Sequence, residues 1–303
     1  MKTQQMKGKV FAQLLEADPE QTIRLHVAEF TYLQKCIYCH LWPELMMMWA
    51  TTFLDAEQIA YICRRDPSFA LGYIGYLLDP ELFDECVELC PASGLRRVLA
   101  RLSDRQFDRC VRACPAVALS NKGATRRLTK KQYAYCVRIC PAEALECTPW
   151  LLTKKQIEYC VQRCFDKALD FVPHRLSPAQ LRYCSSKDPQ TTIEKAGYWI
   201  PHDLIADLYQ YYPVLMLRCV RGRLSGPQRR YCISTDPWKI LVNDPDVLQD
   251  DELDALVSDF RLEVRELIKS NPCHYLVTLL AYSLKILDHE TKSLVSWAIE
   301  HQR

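Results

Sequence analysis

Apolar and polar positions along most of the chain follow one motif. An apolar residue opens it, a polar cap and an amphipathic stretch of about ten residues follow, and a proline stops that stretch. A second short apolar segment closes the motif. Leu102-SDRQFDRCVRACPAVA-Leu119, Leu128-TKKQYAYCVRICPAEA-Leu145, Leu152-TKKQIEYCVQRCFDKA-Leu169 and Leu176-SPAQLRYCSSKDPQTT-Ile193 are four copies in one register. Copies start at residues 6, 30, 54, 78, 102, 128, 152, 176, 200 and 224, a period of 24 with one step of 26. The extra length falls at 121–127 and reads as a longer loop. An eleventh copy at Leu248 has lost the proline. Self-similarity at such a period is the signature of a repeat architecture.

Each copy reads as a pair of short helices. Asp55, Asp79, Ser103, Thr129, Thr153, Ser177 and Ser225 occupy the second position, and all but Asp79 are followed three residues later by Gln: Gln58, Gln106, Gln132, Gln156, Gln180 and Gln228. That is a capping box, in which two side chains satisfy orphan N–H groups at a helix start. Position 14 is proline in nine of ten copies, with Phe165 the exception. Proline ends the first helix and suits the first turn of a second. Position 18 is apolar throughout, from Ile23 to Leu241, and predicts a core column. A helix pair of this size cannot bury its apolar face alone, whereas stacked pairs bury a continuous one. The pattern therefore predicts an all-α fold, an α-solenoid of ten to eleven 24-residue helix-pair repeats over residues 1–247. Residues 248–303 read as the degenerate last repeat and a C-terminal helical cap, with amphipathic segments at about 251–269, 273–287 and 290–301.

The period and the wording at Leu176 to Pro189 resemble the leucine-rich-repeat-variant and HEAT-like solenoids. The leucine start and the Ala-Leu pairs at 118–119, 144–145 and 168–169 are similar to a short helical repeat of unknown function found in viral and microbial proteins. These resemblances cover residues 6–247 and imply a helical solenoid. They carry over no catalytic or binding residue, because the shared positions are caps and core.

Composition narrows the function. Of 303 residues 49% are hydrophobic, enough for a large core, and only 8 are glycine. No glycine-rich phosphate loop occurs. No apolar run reaches 18 residues, so no membrane span is expected. The polar N-terminus lacks the apolar segment of a signal peptide, and an intracellular protein, cytoplasmic by default, is expected. The seven histidines form no ligand spacing and no G-x-S-x-G occurs, so the chain reads as non-enzymatic.

Sixteen cysteines are present, ten of them in two repeat columns. Cys86, Cys110, Cys136, Cys160, Cys184 and Cys232 hold position 9, and Cys90, Cys114, Cys140 and Cys164 hold position 13. Thiolates at i and i+4 project together, and four would suit tetrahedral zinc. Position 9 is Leu14, Ile62 or Leu208 in other copies, however, and a reduced cysteine behaves as a small buried hydrophobe. Structural thiols are the expectation, with no metal and no other cofactor.

A net charge of +2 hides an asymmetry. Residues 96–195 hold 20 Lys and Arg against 9 Asp and Glu. Lys130, Lys131, Lys154 and Lys155 lie in the first turns of two successive helices, where cations oppose the helix dipole. Arg105, Arg126 and Arg127 lie near them in the repeat frame. Position 8 supplies a tyrosine column that includes Tyr135, Tyr159 and Tyr183. In stacked repeats these positions form ladders, and together they are the candidate site for an anionic partner. The expected function is a scaffold that binds a protein partner or an assembly through one face. Alternatives are a nucleic-acid binder with tyrosines stacked on bases, and a structural component of a larger particle. The acidic ends also suit self-association with another copy's basic middle.

Overall fold

A computed structural model describes residues 13, 14, 16–271, 274, 276, 280 and 289–300. Among them every regular element is helical and no strand occurs. No helix among them is long and apolar enough to cross a membrane. The chain forms two compact units, divided between Arg163 and Cys164.

In the first unit, ten-residue helices recur at Tyr32–Leu41, Ala56–Arg65, Pro80–Leu89, Asp104–Ala113, Lys130–Ile139 and Lys154–Arg163. Capping boxes start most of them. Gln106 N–H donates to Ser103 Oγ at 3.3 Å while Gln106 Oε1 accepts from Ser103 N–H at 2.9 Å, and Thr129–Gln132 and Thr153–Gln156 repeat this geometry. Thr31 and Gln34 form the same box, so the copy at Phe30, weak in sequence, is capped as fully as its neighbours. Shorter helices alternate with these, at Pro19–His26, Pro43–Ala50, Pro67–Tyr73, Pro91–Arg97, Pro115–Ser120 and Pro141–Cys147. Each starts on the expected proline.

Like packs on like, one repeat further along. Tyr32–Leu41 packs on Ala56–Arg65, that helix on Pro80–Leu89, and so on to Lys154–Arg163, and the proline-led helices do the same. Position 18 points into the interior in all ten copies, and no residue of that column from Ile23 to Leu241 exceeds 2% exposure. Burying a leucine side chain fully contributes roughly 1.5–3 kcal/mol, so this column is a principal source of stability.

The second unit repeats the pattern at Pro178–Lys187 with Pro189–Ala196, and at Gly226–Thr235 with Pro237–Asn243. Between them His202–Leu208 starts at the same position of its copy and ends three residues sooner. Helix His289–Glu300 packs on Arg261–Ser270, and Val295 and Ala298 join the core of this unit.

Three features differ from the sequence expectation. A 3-10 turn closes several copies within the six residues that follow position 18, as at Thr51–Phe53, Pro149–Leu151 and Pro173–Arg175. The extra residues at 121–127 are no loop: Lys122–Arg127 is an α-helix, capped by Asn121 Oδ1, which accepts from Ala124 N–H at 3.0 Å. The segment expected at 251–269 is two helices, Asp250–Asp259 and Arg261–Ser270. The break falls at Phe260, whose ring packs against Trp238, so the eleventh copy keeps the helix pair without its proline. The segment expected at 273–287 lies almost wholly outside the described residues.

Two side-chain ladders tie successive repeats together. The capping glutamine uses its second end on the preceding repeat: Gln106 Nε2 donates to Asp84 Oδ1 at 3.0 Å and Gln132 Nε2 to Asp108 Oδ1 at 2.9 Å. An arginine at the last position of a copy donates to a carbonyl near the end of the preceding copy and to the carbonyl of its own copy's first residue. Arg127 donates to Leu99 O at 3.0 Å and Leu102 O at 2.8 Å, and Arg101 does the same toward Gly75 and Leu78. Both guanidinium groups lie over a phenylalanine ring, Phe107 and Phe83.

Candidate anion-binding face

The cations of the basic middle fall into two sets. Arg109, Arg112 and Arg127 are engaged with acids of their own unit: Arg109 with Asp84 and Glu88, Arg112 with Asp108, and Arg127 with Asp104. Lys122, Arg126, Lys130, Lys131, Lys154, Lys155 and Arg105 are exposed. Among the described residues none of these seven forms an ion pair. Six of them, all but Arg126, sit in first turns, where the dipole disfavours a cation, so the first unit carries a set of cations that no ion pair relieves.

The helix period sets a stripe on two of these helices. Lys131 and Tyr135 are i and i+4, as are Lys155 and Tyr159, so each lysine stands one turn above its tyrosine. The tyrosines are half-buried. Tyr135 Oη donates to Arg112 O at 3.3 Å and Tyr159 Oη to Arg138 O at 3.0 Å. Each hydroxyl thus satisfies a carbonyl at the C-terminal end of the preceding long helix. Arg138 and Arg163 lie over the two rings, 5.9 and 5.7 Å from the centroids. The rings therefore serve the packing between repeats and present only part of their surface. Tyr183 lies in the second unit, half-buried, with Lys187 Nζ 5.6 Å from its ring centroid.

Lys122, Arg126 and Lys130 meet at one cleft of about 1170 Å³ in the first unit. Its apolar lining includes Leu128, Tyr133, Trp150 and Leu151. Trp150 is 69% exposed and Leu151 46% exposed. Tyr133 is fixed there by its hydroxyl, 2.9 Å from Thr148 Oγ1. Among the described residues no carboxylate lines the cleft. Of the residues expected at the site, Arg126 and Lys130 lie on it. Arg105, Lys131, Lys154 and Lys155 lie elsewhere on the exposed surface, and Arg127 is taken up by the inter-repeat ladder. Sequence reasoning passed over Lys122, Trp150 and Leu151. A signal existed: the single two-residue insertion and the Pro-Trp-Leu run at 149–151 both interrupt the regular copy.

The cysteine columns separate by depth. Position 9 is buried in all six copies and position 13 is half-buried. Burial pushes the thiols of Cys110, Cys136, Cys184 and Cys232 up to about 11. Cys39 rises to about 12 for the same reason. A thiol held neutral is a poor nucleophile and a poor metal ligand. Among the described residues no group of three or more His, Cys, Asp or Glu side chains is placed to hold a metal ion. A smaller pocket of about 360 Å³ contains Tyr32, Cys36, Cys39 and His40. There His40 Nδ1 lies 2.6 Å from Tyr61 Oη, and Gln58 Nε2 donates to Cys36 Sγ at 3.4 Å.

No family model, curated protein or solved structure matches the chain.

Proposed function

We propose that this chain is a non-enzymatic α-solenoid scaffold that binds an acidic protein partner through the exposed basic face of its middle repeats. One observation carries the reading: Lys130, Lys131, Lys154 and Lys155 are exposed in first turns and form no ion pair among the described residues, whereas Arg109, Arg112 and Arg127 of the copy at residues 102–127 are matched to acids. Unfavourable local charge that the fold leaves unrelieved is stabilised once an anion arrives. The regular core and caps supply the stiffness a scaffold needs. A protein surface fits better than a nucleic-acid strand, because stacking on bases calls for open ring faces, and Tyr135 and Tyr159 are half-buried with their hydroxyls bonded inward.

The test is fluorescence anisotropy of labelled polyglutamate and of labelled single- and double-stranded nucleic acid across a salt series. The comparison is wild type against Lys130→Glu/Lys131→Glu/Lys154→Glu/Lys155→Glu. Polyglutamate should bind at low salt and the quadruple variant should lose that binding with its helical circular dichroism intact. Nucleic acid bound more tightly than polyglutamate, with a steep salt slope, would replace this reading by the nucleic-acid one.

A further inference from the structure

The cleft beside Trp150 sits where the repeat is interrupted, and its walls are firmly built. On one side, Lys122–Arg127 replaces the usual 3-10 turn. Asn121 Nδ2 ties this helix to Leu95 O at 3.2 Å. Thr125 Oγ1 lies within 3.1 Å of the carbonyl oxygens of Ala118, Leu119 and Asn121. Gly123 lets the helix approach the preceding repeat: a Cβ there would stand 2.8 Å from Leu99 Cδ2. On the other side, the turn Pro149–Leu151 holds Trp150 and Leu151 outward. A large exposed tryptophan beside an exposed leucine in a concave site is the anchor type found at protein interfaces.

The charge around this apolar floor has one sign. Lys122, Arg126 and Lys130 are exposed, and among the described residues none of them is ion-paired and no acid lines the cleft. A ligand that satisfies both features carries carboxylates spaced around a bulky apolar group. A nucleic-acid strand satisfies them poorly, since one indole and an aliphatic side chain do not make a stacking track. We infer that this cleft is the specificity pocket of the chain, taking an acidic protein segment with an aromatic or large aliphatic side chain at its centre. Trp150 and Leu151 receive that side chain, and Lys122, Arg126 and Lys130 hold the flanking carboxylates. This inference rests on the acidic-partner reading and adds a sequence preference to it.

Its test compares labelled polyglutamate, a random glutamate–tyrosine copolymer and oligothymidylate on the full chain by fluorescence anisotropy. The copolymer should bind about tenfold more tightly than polyglutamate, the span expected of one anchor residue. Trp150→Ala should erase that preference while leaving polyglutamate affinity unchanged. Lys122→Glu/Arg126→Glu should weaken both acidic polymers, and this second variant keeps the test alive if Trp150→Ala does not fold. Equal binding of the two acidic polymers by wild type, or a preference that survives Trp150→Ala, overturns the pocket and leaves the acidic-partner reading standing. Binding of neither acidic polymer removes both. Oligothymidylate bound more tightly than the copolymer, and dependent on Trp150, overturns the pocket in favour of a nucleic-acid site.

Discussion

At the residue scale the cysteines show how one side chain serves two depths. At position 9 the thiol replaces the leucine or isoleucine of other copies, and Cys86, Cys136, Cys160, Cys184 and Cys232 are completely buried. A thiol is smaller than leucine and lets the helices approach closely, at the cost of an ionisable group in the core. The linkage has a definite sign. In the unfolded chain a thiol ionises near about 8.5, while burial holds Cys110, Cys136, Cys184 and Cys232 near 11. The folded state keeps protons that the unfolded state loses, so these groups stabilise the fold fully below pH about 8.5 and lose that contribution as pH rises toward 11. The urea midpoint should fall between pH 8 and pH 10.5, and Cys136→Ala/Cys184→Ala should flatten that fall. An alkaline profile unchanged in the double variant would show that the decline has another source.

At the element scale the caps do more than start helices. The glutamine of the box is legible in sequence as an N3 partner, and its oxygen does accept the cap N–H. Its amide nitrogen is not legible, because the acceptor lies in the preceding copy, at Asp84 or Asp108. The same holds for Arg127. Its cluster with other cations suggested a ligand contact, but its guanidinium bonds to Leu99, Leu102 and Asp104. The column of Arg101, Arg127, Arg175 and Arg223 at the last position was the available signal. Helix spans, proline starts and the position 18 core column were readable, because each depends on residues within one copy. The helix at 122–127 and the cleft were not, because they depend on what a two-residue insertion does in three dimensions. A comparison of two glutamines measures the inter-repeat term. Gln132→Ala removes the cap acceptor and the bond to Asp108, whereas at Gln156 the corresponding position of the preceding copy is Ala134. Both changes lose a cap acceptor, worth about 1 kcal/mol. Gln132→Ala should cost about a further 1 kcal/mol, as for a lost intramolecular hydrogen bond. Urea denaturation reads both, and equal losses would remove the bridge to Asp108 as a stabilising contact.

At the scale of the whole molecule the decisive property is the range of the packing. Each long helix of the first unit packs on the long helices one copy before and after it, and the proline-led helices follow the same rule. Stability in such an arrangement is close to a sum of unit terms and nearest-neighbour terms, so a lesion should spread to adjacent copies and weaken with distance along the chain. Leu145 is completely buried in its column. Leu145→Ala should cost about 2–5 kcal/mol through lost burial and a residual cavity. Leu145→Asp would place a charge in the core and should unfold its neighbourhood. Hydrogen exchange on Leu145→Ala separates a local from a global effect. Protection should fall across residues 104–163, which include the long helices of its own, the preceding and the following copy, and stay near wild type at Ala56–Arg65. A fall of equal size at both places would mean one globally cooperative core, in which a repeat is only a unit of sequence. A local fall would mean that the proposed partner face and its cleft rest on few copies, so that substitutions around 119–156 change polyglutamate binding while those in distant copies leave it unaltered.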